Sequence, residues 1–195
     1  IYVTDVADPI QVEKTITQVD DTCGGVDLVI ANAGVSGRCE SSALQWNKYQ
    51  AIVDVNVRGA AATLSAVLPR MVERGHGHIV GISSLAQYRG LPKRAAYSAS
   101  KAFLSTFLES LRVDLHETGV YVTDIRPGFI RTDMTSKNTS WMPFLMDVDK
   151  ATSCILKGIA ARKAVVAFPW PMATLLRVLR LLPTTIYDPI ARTII

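Results

Sequence analysis

Short apolar runs and helical stretches alternate along this chain. Runs rich in β-branched residues occupy positions 26–31, 78–82, 120–125 and 165–168. Each run is too short for a typical helix and is typical of a strand that is apolar on both faces, as in a parallel sheet. Residues 1–5 have the same character, so a strand is expected there as well.

Between these runs, apolar residues recur at the spacing of an α-helix. Asp8 followed by Pro9 is a helix-start signal, and the helix that begins there should end at the glycine pair Gly24 and Gly25. The same spacing predicts four further helices, over residues 46–53, 59–73, 95–117 and 172–182.

Strands that alternate with helices predict an α/β fold, a Rossmann-type doubly wound parallel sheet with helices on both faces. Because crossovers between parallel strands are right-handed, all strands should end at one edge of the sheet. Ligands of open α/β sheets bind along that edge. We therefore expect the chemistry at residues that directly follow strands, which are Asp5, Asn32, Ser83 and Pro127.

The composition fits one compact domain. Of the 195 residues, 49% are apolar and 19% are charged, which is too apolar for a disordered chain and too charged for a polytopic membrane protein. Cys23, Cys39 and Cys154 share no close spacing, so neither a disulfide framework nor a cysteine zinc site is expected. This cysteine usage fits a reducing, cytoplasmic compartment. We expect a single domain over residues 1–195, with a leucine-rich helical extension from about residue 170.

Positive charge is concentrated in the last quarter of the chain. Residues 147–195 carry seven Lys and Arg against three Asp and Glu, whereas residues 1–146 carry fourteen of each sign. Residues 1–146 thus carry no net charge and lack the basic stripe that nucleic-acid binding requires, which argues against that function. The longest apolar stretch, residues 164–173, contains two prolines and is shorter than the ~20 residues of a membrane-spanning helix.

One residue pair carries a chemical signal. Tyr97 and Lys101 are four residues apart on a predicted helix, so they share a face of it. Taken alone, this spacing is more typical of a tyrosine half-buried at the sheet edge and a lysine in solvent. The motifs on either side of the pair favour a functional role for it.

These motifs occur in a fixed order over residues 1 to about 135. Together they resemble the short-chain dehydrogenase/reductase family in its single-domain form. The matching positions are Asp5-Val6, Asn32-Ala33-Gly34, Asn56, Ser83, Tyr97-x-x-x-Lys101, Pro127-Gly128 and Thr132. No glycine-rich phosphate-binding turn precedes Asp5, so the resemblance implies a chain that lacks the first strands of the family fold and begins at the third strand.

The resemblance implies an oxidoreductase that interconverts an alcohol and a carbonyl with NAD or NADP. Tyr97 would be the general acid/base, and Lys101 would bind the nicotinamide ribose. Because a free phenol has a pKa of about 10, the Lys101 ammonium would also lower the pKa of Tyr97. Ser83 would donate a hydrogen bond to the substrate oxygen, and Asn56 would hold a water that links Lys101 to solvent.

The same resemblance implies which residues bind the cofactor. Asp5 and the Val6 backbone would contact the adenine, and Asn32, Ala33 and Gly34 would pass under the adenine ribose. The nicotinamide amide would be held by Pro127, Gly128, the Ile130 backbone and Thr132. In the family, the residue that separates NAD from NADP lies before the position of Asp5, so both cofactors remain open.

The substrate is also left open. The apolar segment 129–146, which includes Trp141, lies where the family has a substrate lid, and it either contacts an apolar alcohol or ketone or packs on the protein itself. An acyl-type or sugar substrate is an alternative, as is a non-catalytic remnant or binding protein that keeps the fold. His76 and His78 have no evident third ligand, so no metal is expected.

The predicted C-terminal helix carries Thr174, Arg177 and Arg180 on a thin polar stripe among leucines. Such a helix packs over the substrate site, packs against a second subunit, or lies on a membrane surface. Packing against protein is the favoured expectation, and a homo-oligomer is expected. Peripheral membrane contact is the alternative.

Overall fold

A four-stranded parallel sheet forms the centre of the fold. The computed structural model describes residues 1–38, 40, 42, 44–136 and 142–193, so Cys39 and Trp141 lie outside the described residues. In their order across the sheet, the strands are β1 (Leu28–Ala31), β2 (Gly77–Ile82), β3 (Val120–Pro127) and β4 (Val165–Phe168). All neighbouring strands are parallel, which confirms the predicted Rossmann-type α/β sheet.

Helices connect and flank these strands. They are α1 (Pro9–Cys23), α2 (Trp46–Val53), α3 (Ala60–Arg74), α4 (Ala95–Asp114), α5 (Asp133–Ser136), α6 (Val148–Ala160), α7 (Trp170–Leu181) and α8 (Thr184–Arg192). A π-helical segment, Asp54–Gly59, joins α2 to α3, and a short 3-10 helix, Leu85–Gln87, follows β2. Helices α5, α6 and α8 have no counterpart in the sequence prediction.

Helix α1 begins and ends as the sequence predicts. The Asp8 carboxylate accepts hydrogen bonds from the backbone N–H groups of Ile10 (3.0 Å) and Gln11 (3.2 Å), and Pro9 occupies the first helical position. Gly24 ends the helix with a left-handed φ of 70°, a conformation that glycine adopts at little cost. Local signals therefore determine both ends of this helix.

The strand expected at residues 1–5 is absent, so that prediction is wrong. A strand exists through hydrogen bonds to a neighbouring strand, and β1 pairs with β2 alone among the described strands. The segment binds α1 instead, because Thr4 Oγ1 donates to Thr15 Oγ1 at 2.8 Å and the Asp5 N–H donates to Gln11 Oε1 at 2.6 Å. An apolar, β-branched run does not by itself supply a strand partner.

Helices cover both faces of the sheet at its central strands, and adjacent residues of β2 pack on opposite faces. Ile79 of β2 packs in a cluster with α3 and α4, whereas Val80 packs in a second cluster with α6. Both side chains are fully buried. The helical residues of the first cluster include Leu64, Val67, Met71, Leu104 and Leu108.

One continuous helical stretch, Trp46–Arg74, is long and apolar enough to cross a membrane by length and composition. Its Leu64, Val67 and Met71 are fully buried against the sheet, so these apolar side chains contribute to the protein core. The π-helical segment lies in the middle of this stretch, where the sequence predicts an interruption at Asn56.

Candidate active site

The parallel strands end at one edge, and the candidate residues lie along it. Asn32 follows β1, Ser83 and Ser84 follow β2, and Pro127 ends β3. Helix α4 packs against both β3 and the 3-10 helix that follows β2. Its first two turns carry Tyr97 and Lys101. The fold thus brings the Tyr-Lys pair to the edge where the sequence predicts the site.

Lys101 is buried rather than solvated. Only 5% of its surface is exposed, and its Nζ donates a hydrogen bond to the carbonyl of Ile82 at 2.9 Å. The same nitrogen lies 5.9 Å from the centre of the Tyr97 ring. Burial lowers the pKa of Lys101 from 10.5 to about 8, against an opposing contribution from the Asp124 carboxylate.

Tyr97 is half-buried, and its phenol is paired with a serine. The Ser84 hydroxyl lies within hydrogen-bonding contact of the Tyr97 hydroxyl. Burial raises the pKa of Tyr97, while the Ser84 contact and the nearby Arg94 guanidinium oppose that rise. In the protein alone the net direction is upward, because the cost of burying a phenolate dominates. The lowering of this pKa by Lys101 stays a prediction for the protein with its cofactor bound.

Ser83 does not occupy the position that the sequence analysis gives it. Its side chain is 2% exposed, and its hydroxyl contacts the Asp124 carboxylate and the carbonyl of Ile125 at 3.0 Å. Ser83 directly follows β2, and Ser84, one residue on, caps the 3-10 helix Leu85–Gln87. The serine beside the Tyr97 hydroxyl is Ser84, and the placement of Ser83 there is corrected.

Ser84 is held in place by the turn that it caps. Its Oγ accepts a hydrogen bond from the N–H of Ala86 at 3.1 Å and donates to the carbonyl of Pro127 at 3.3 Å. These contacts fix the hydroxyl at the start of the 3-10 helix Leu85–Gln87. The signal that could have identified it is present in the sequence, because two adjacent serines follow the strand and either could reach the site.

A buried polar network extends from the site to helix α7. Arg126 Nε donates to Asp124 Oδ2 at 2.7 Å, and its Nη1 donates to the Tyr88 hydroxyl at 3.2 Å. Arg177 Nε of α7 donates to the same hydroxyl at 2.9 Å. Asp124 and Tyr88 are both buried. Sequence reasoning missed these residues, since their partners are distant along the chain.

Asn56 is buried in the π-helical segment, with its amide fully engaged. Its Oδ1 accepts from the Val35 N–H at 2.8 Å, and its Nδ2 donates to the Val35 carbonyl at 2.9 Å and to Ser100 Oγ at 3.0 Å. Ser100 Oγ donates in turn to the carbonyl of Tyr97 at 2.8 Å. Asn56 thereby connects the loop after β1 to α4.

Gly34 allows that loop to approach Lys101 closely. A Cβ at this position would lie 3.3 Å from Lys101 Nζ and 3.5 Å from Asn56 Oδ1. The distance to Asn56 is an ordinary contact, but the distance to Lys101 is tight, so a side chain here would press on the buried ammonium. Of the motif Asn32-Ala33-Gly34, the structure brings Gly34 to the Tyr-Lys pair and leaves the Asn32 and Ala33 side chains exposed.

Asp5 and Val6 lie in a turn that precedes α1. One Asp5 oxygen, Oδ1, accepts a hydrogen bond from the Ala7 N–H at 2.9 Å. The Val6 carbonyl approaches Gly59 so closely that a Cβ on Gly59 would lie 2.4 Å from it. This turn is thus fixed against the end of the π-helical segment.

The segment after β3 contains the remaining candidates. Pro127 is the last residue of β3, and the Gly128 N–H donates to the carbonyl of Phe168 at 2.7 Å. Ile130 forms an isolated parallel bridge with Met146. Thr132 directly precedes α5, and its carbonyl accepts from Thr135 Oγ1 at 3.0 Å. The structure places all four candidates on one segment that leaves the strand edge.

Helix α7 begins beside this segment. A Cβ on Gly128 would lie 3.0 Å from Pro169 Cδ and 3.2 Å from Met172 Sδ. Ala173 and Leu176 of α7 are buried against Leu85. One face of the C-terminal helix therefore packs beside the candidate site. Of the expected lid, Phe144 is exposed, and residues 137–141 lie outside the described residues.

Metal-ligating side chains do not cluster in the described part of the chain, where no group of three or more His, Cys, Asp or Glu could hold a metal ion. His76 Nε2 lies 3.4 Å from Asp27 Oδ1, and His78 Nε2 is 2.8 Å from Thr123 Oγ1. Both histidines therefore have protein partners.

Comparison with known proteins agrees with this geometry. The profile of the family described as short chain dehydrogenase matches residues 1–143. An uncharacterized oxidoreductase of Myxococcus xanthus is 54% identical over 179 residues, which cover 92% of this chain and 71% of that protein. An uncharacterized oxidoreductase of Mycobacterium tuberculosis is 37% identical over 185 residues, with the same coverage of both chains.

Two solved structures are similar in fold. A short-chain dehydrogenase from Streptomyces avermitilis is 23% identical, with a TM-score of 0.80 over 98% of this chain and 80% of that chain. A gluconate 5-dehydrogenase from Burkholderia cenocepacia, solved in complex with NADP and tartrate, is 28% identical, with a TM-score of 0.66. The latter match covers 69% of this chain and about half, 52%, of that enzyme.

The profile match extends over most of the chain, and the Tyr97-Lys101 pair lies at the carboxyl edge of a parallel sheet of the corresponding fold. On these grounds the chain belongs to the short-chain dehydrogenase family of oxidoreductases.

Proposed function

We propose that this protein interconverts an alcohol and a carbonyl with NAD or NADP, and that Tyr97 is its general acid/base. The observation that carries the proposal is the contact between the Tyr97 and Ser84 hydroxyls beside the buried ammonium of Lys101. These groups lie at the sheet edge where open α/β folds bind ligands.

The proton chemistry follows from the two hydroxyls. A carbonyl that is being reduced gains negative charge on its oxygen and needs a proton. The raised pKa of Tyr97 keeps the phenol protonated, so it can donate that proton. The Ser84 hydroxyl, which donates to the Pro127 carbonyl in the protein alone, would rotate to donate a hydrogen bond to the same oxygen and to orient it. The cationic Lys101 then stabilises the phenolate that remains, and Asn56 holds the loop beside it.

The residues present fit a nicotinamide dinucleotide, which would supply the hydride when bound. Lys101 Nζ has three N–H donors, and a single acceptor, the Ile82 carbonyl, bonds to it within the described residues. The absence of a side chain on Gly34 leaves space beside this nitrogen. The remaining donors of Lys101 would bind the ribose hydroxyls.

The other cofactor contacts are proposed at the positions that the family resemblance implies. Asp5, Val6, Asn32, Ala33 and Gly34 would line the adenine side. Pro127, Gly128, Ile130 and Thr132 would line the nicotinamide side. The complex of the related gluconate 5-dehydrogenase with NADP supports this class of cofactor.

The proposal is tested by mixing the purified enzyme with NADH or NADPH and a panel of ketones, aldehydes and sugar acids. We expect at least one carbonyl to be reduced, with loss of the reduced nicotinamide absorbance. The Tyr97→Phe variant is the matched blank. If no member of the panel is turned over with either cofactor, and calorimetry detects no cofactor binding, the protein is a binding protein or a non-catalytic remnant.

The two serines at the end of β2 give a sharper prediction. Ser84→Ala should lower kcat about 10²-fold, because it removes a hydrogen-bond donor to the reacting oxygen. Ser83→Ala is the matched control, since its buried hydroxyl is engaged by the Asp124 carboxylate and the Ile125 carbonyl. It should lower thermal stability and leave kcat within a few-fold of the wild type. The reverse order of kcat effects would restore Ser83 as the catalytic serine.

An acidic or sugar-derived substrate is a second candidate beside an apolar ketone. Arg94, one turn before Tyr97, has a guanidinium whose pKa is lowered by burial and by the nearby Arg38. A substrate carboxylate could pair with the half-buried Arg94 guanidinium beside the proposed catalytic phenol. The related gluconate 5-dehydrogenase was solved with tartrate, a dicarboxylate. If Arg94→Gln raises KM for sugar acids and spares neutral ketones, this substrate class is favoured.

A further inference from the structure

Helix α7 has one face that packs on the protein and another that remains uncovered. Ala173 and Leu176 are buried in a cluster with Leu85 of the 3-10 helix and Ala167 of β4. On the opposite side lie four large apolar side chains, which we call the α7 outer face: Trp170 (76% exposed), Leu175 (54%), Val178 (54%) and Leu181 (83%). Four large apolar side chains thus lie together at the surface of one helix.

Positive charge flanks this face, and acidic side chains are absent from α7. Arg177 and Arg180 are its charged residues, and the sequence Trp170–Leu181 contains no Asp or Glu. Arg180 is exposed, and it forms no side-chain ion pair within the described residues. Arg177 is partly engaged, since its Nε donates to the Tyr88 hydroxyl. A further exposed arginine, Arg192, ends the neighbouring helix α8.

The α7 outer face is too small to hold a second copy of the chain by itself. A helix of 12 residues is about 18 Å long and about 10 Å wide, so its outer face covers on the order of 200 Å². A stable protein interface buries roughly 800 Å² on each partner. Self-pairing of α7 would also bring Arg177 and Arg180 close to their own copies, with no acidic group on the helix to neutralise them.

We infer that the α7 outer face binds the surface of an anionic membrane. An interfacial helix of this kind carries leucine and tryptophan on one face and basic residues beside it. Trp170, at the start of the helix, has the amphipathic ring that is enriched where headgroups meet hydrocarbon. Arg180 and Arg192 would attract anionic headgroups, and the apolar side chains would insert below them. This inference goes beyond the proposed function and does not depend on it.

Helix α8 also presents apolar side chains at the surface. Helix α8 buries Tyr187 and Ala191, while Ile186 and Ile190, four residues apart, remain exposed on one face. The Tyr187 hydroxyl donates to the Gly90 carbonyl at 2.6 Å, so this helix is anchored to the protein by its buried side. Its exposed isoleucines are thus available for a further contact without loss of the anchor.

The experiment is co-sedimentation of the full chain with vesicles. With vesicles of phosphatidylcholine and phosphatidylglycerol, we expect the protein to sediment, and with phosphatidylcholine alone we expect several-fold less in the pellet. Added salt should lower the bound fraction, because part of the attraction is electrostatic. Leu181→Glu should lower the bound fraction at least fivefold, and Arg180→Gln should lower it about twofold.

A matched variant separates this effect from a general change in charge. Leu156→Glu introduces the same carboxylate at an exposed position of α6 and should sediment like the wild type. Circular dichroism checks that each variant is folded. If the wild type does not sediment with anionic vesicles, or if Leu181→Glu and Leu156→Glu bind equally, the inference is wrong. A dimeric mass by light scattering that Leu181→Glu converts to a monomer would assign the face to a second copy instead.

Discussion

Replacing Tyr97 by phenylalanine is expected to lower kcat by about 10³–10⁴-fold, the contribution of a well-placed general acid. The substitution removes only the hydroxyl, and the ring retains its packing in α4. Because the proposed cofactor contacts lie on Lys101 and the neighbouring loops, the dissociation constant for the cofactor should change by less than about threefold. Steady-state kinetics and calorimetric cofactor titration of the same preparations measure the two quantities separately.

Tyr121→Phe is a suitable control for this change. Tyr121 lies on β3 with an exposed ring beneath the Arg162 guanidinium, away from the strand edge that carries the candidate site. Its loss of a hydroxyl should leave kcat unchanged. A Tyr97→Phe variant that retained most of its turnover would show that the acid/base lies elsewhere, whatever the cofactor affinity.

Replacing Lys101 by methionine is expected to stabilise the folded protein while it destroys function. The pKa of Lys101 is lowered from 10.5 to about 8, so the folded state carries its charge at a cost. Each unit of such a shift corresponds to about 1.4 kcal/mol, which gives an upper limit of about 3.5 kcal/mol at pH 7. Methionine has a similar length and no charge, so the free energy of unfolding should rise toward that limit.

The pH dependence of this effect has a definite sign. Below pH 8 the lysine is charged in both folded and unfolded states, and the full cost of burial is present. Between pH 8 and 10.5 the unfolded state binds more protons, so the stability of the wild type rises with pH. The advantage of Lys101→Met should therefore shrink across this window. Urea unfolding of both proteins at pH 7 and near pH 10 measures it.

Lys150→Met controls for the loss of a lysine as such, because Lys150 is exposed on α6. Its stability difference from the wild type should be small at both pH values. If Lys101→Met is less stable than the wild type at pH 7, the hydrogen bond to Ile82 and the attraction to Asp124 outweigh the cost of burying the charge. A stability difference between Lys101→Met and the wild type that stays the same at pH 7 and near pH 10 would contradict the lowered pKa.

The sequence predicts those parts of the fold that local signals determine. Asp8, Pro9 and Gly24 specify the ends of α1, because capping depends on neighbours within a few residues. The apolar, β-branched runs predict the sheet strands β1 to β4. Only β2 and β3 are mostly buried, whereas Leu28 and Ile30 of β1 are exposed. The strand expected at residues 1–5 failed for the opposite reason. Strand pairing depends on a distant segment, which apolar character alone does not supply.

The candidate site was predicted to within one residue. Tyr97, Lys101 and Asn56 lie together as the motifs indicate, linked through Ser100. Ser83 and Ser84 are adjacent, and the choice between them depends on the direction of each side chain where a strand turns into a 3-10 helix. The network of Asp124, Arg126 and Tyr88 was not predictable, because its members are distant along the chain and polar side chains carry no pairing signal.

The π-helical turn at Asp54–Gly59 limits how this region can change in evolution. An α-helix advances about 100° per residue, so gain or loss of one residue there would rotate everything that follows by that angle. Asn56 would leave its contacts with Val35 and Ser100, and the core-facing side chains of α3 would turn away from the sheet. Relatives that keep the site should therefore tolerate substitutions in this turn far better than single-residue insertions or deletions.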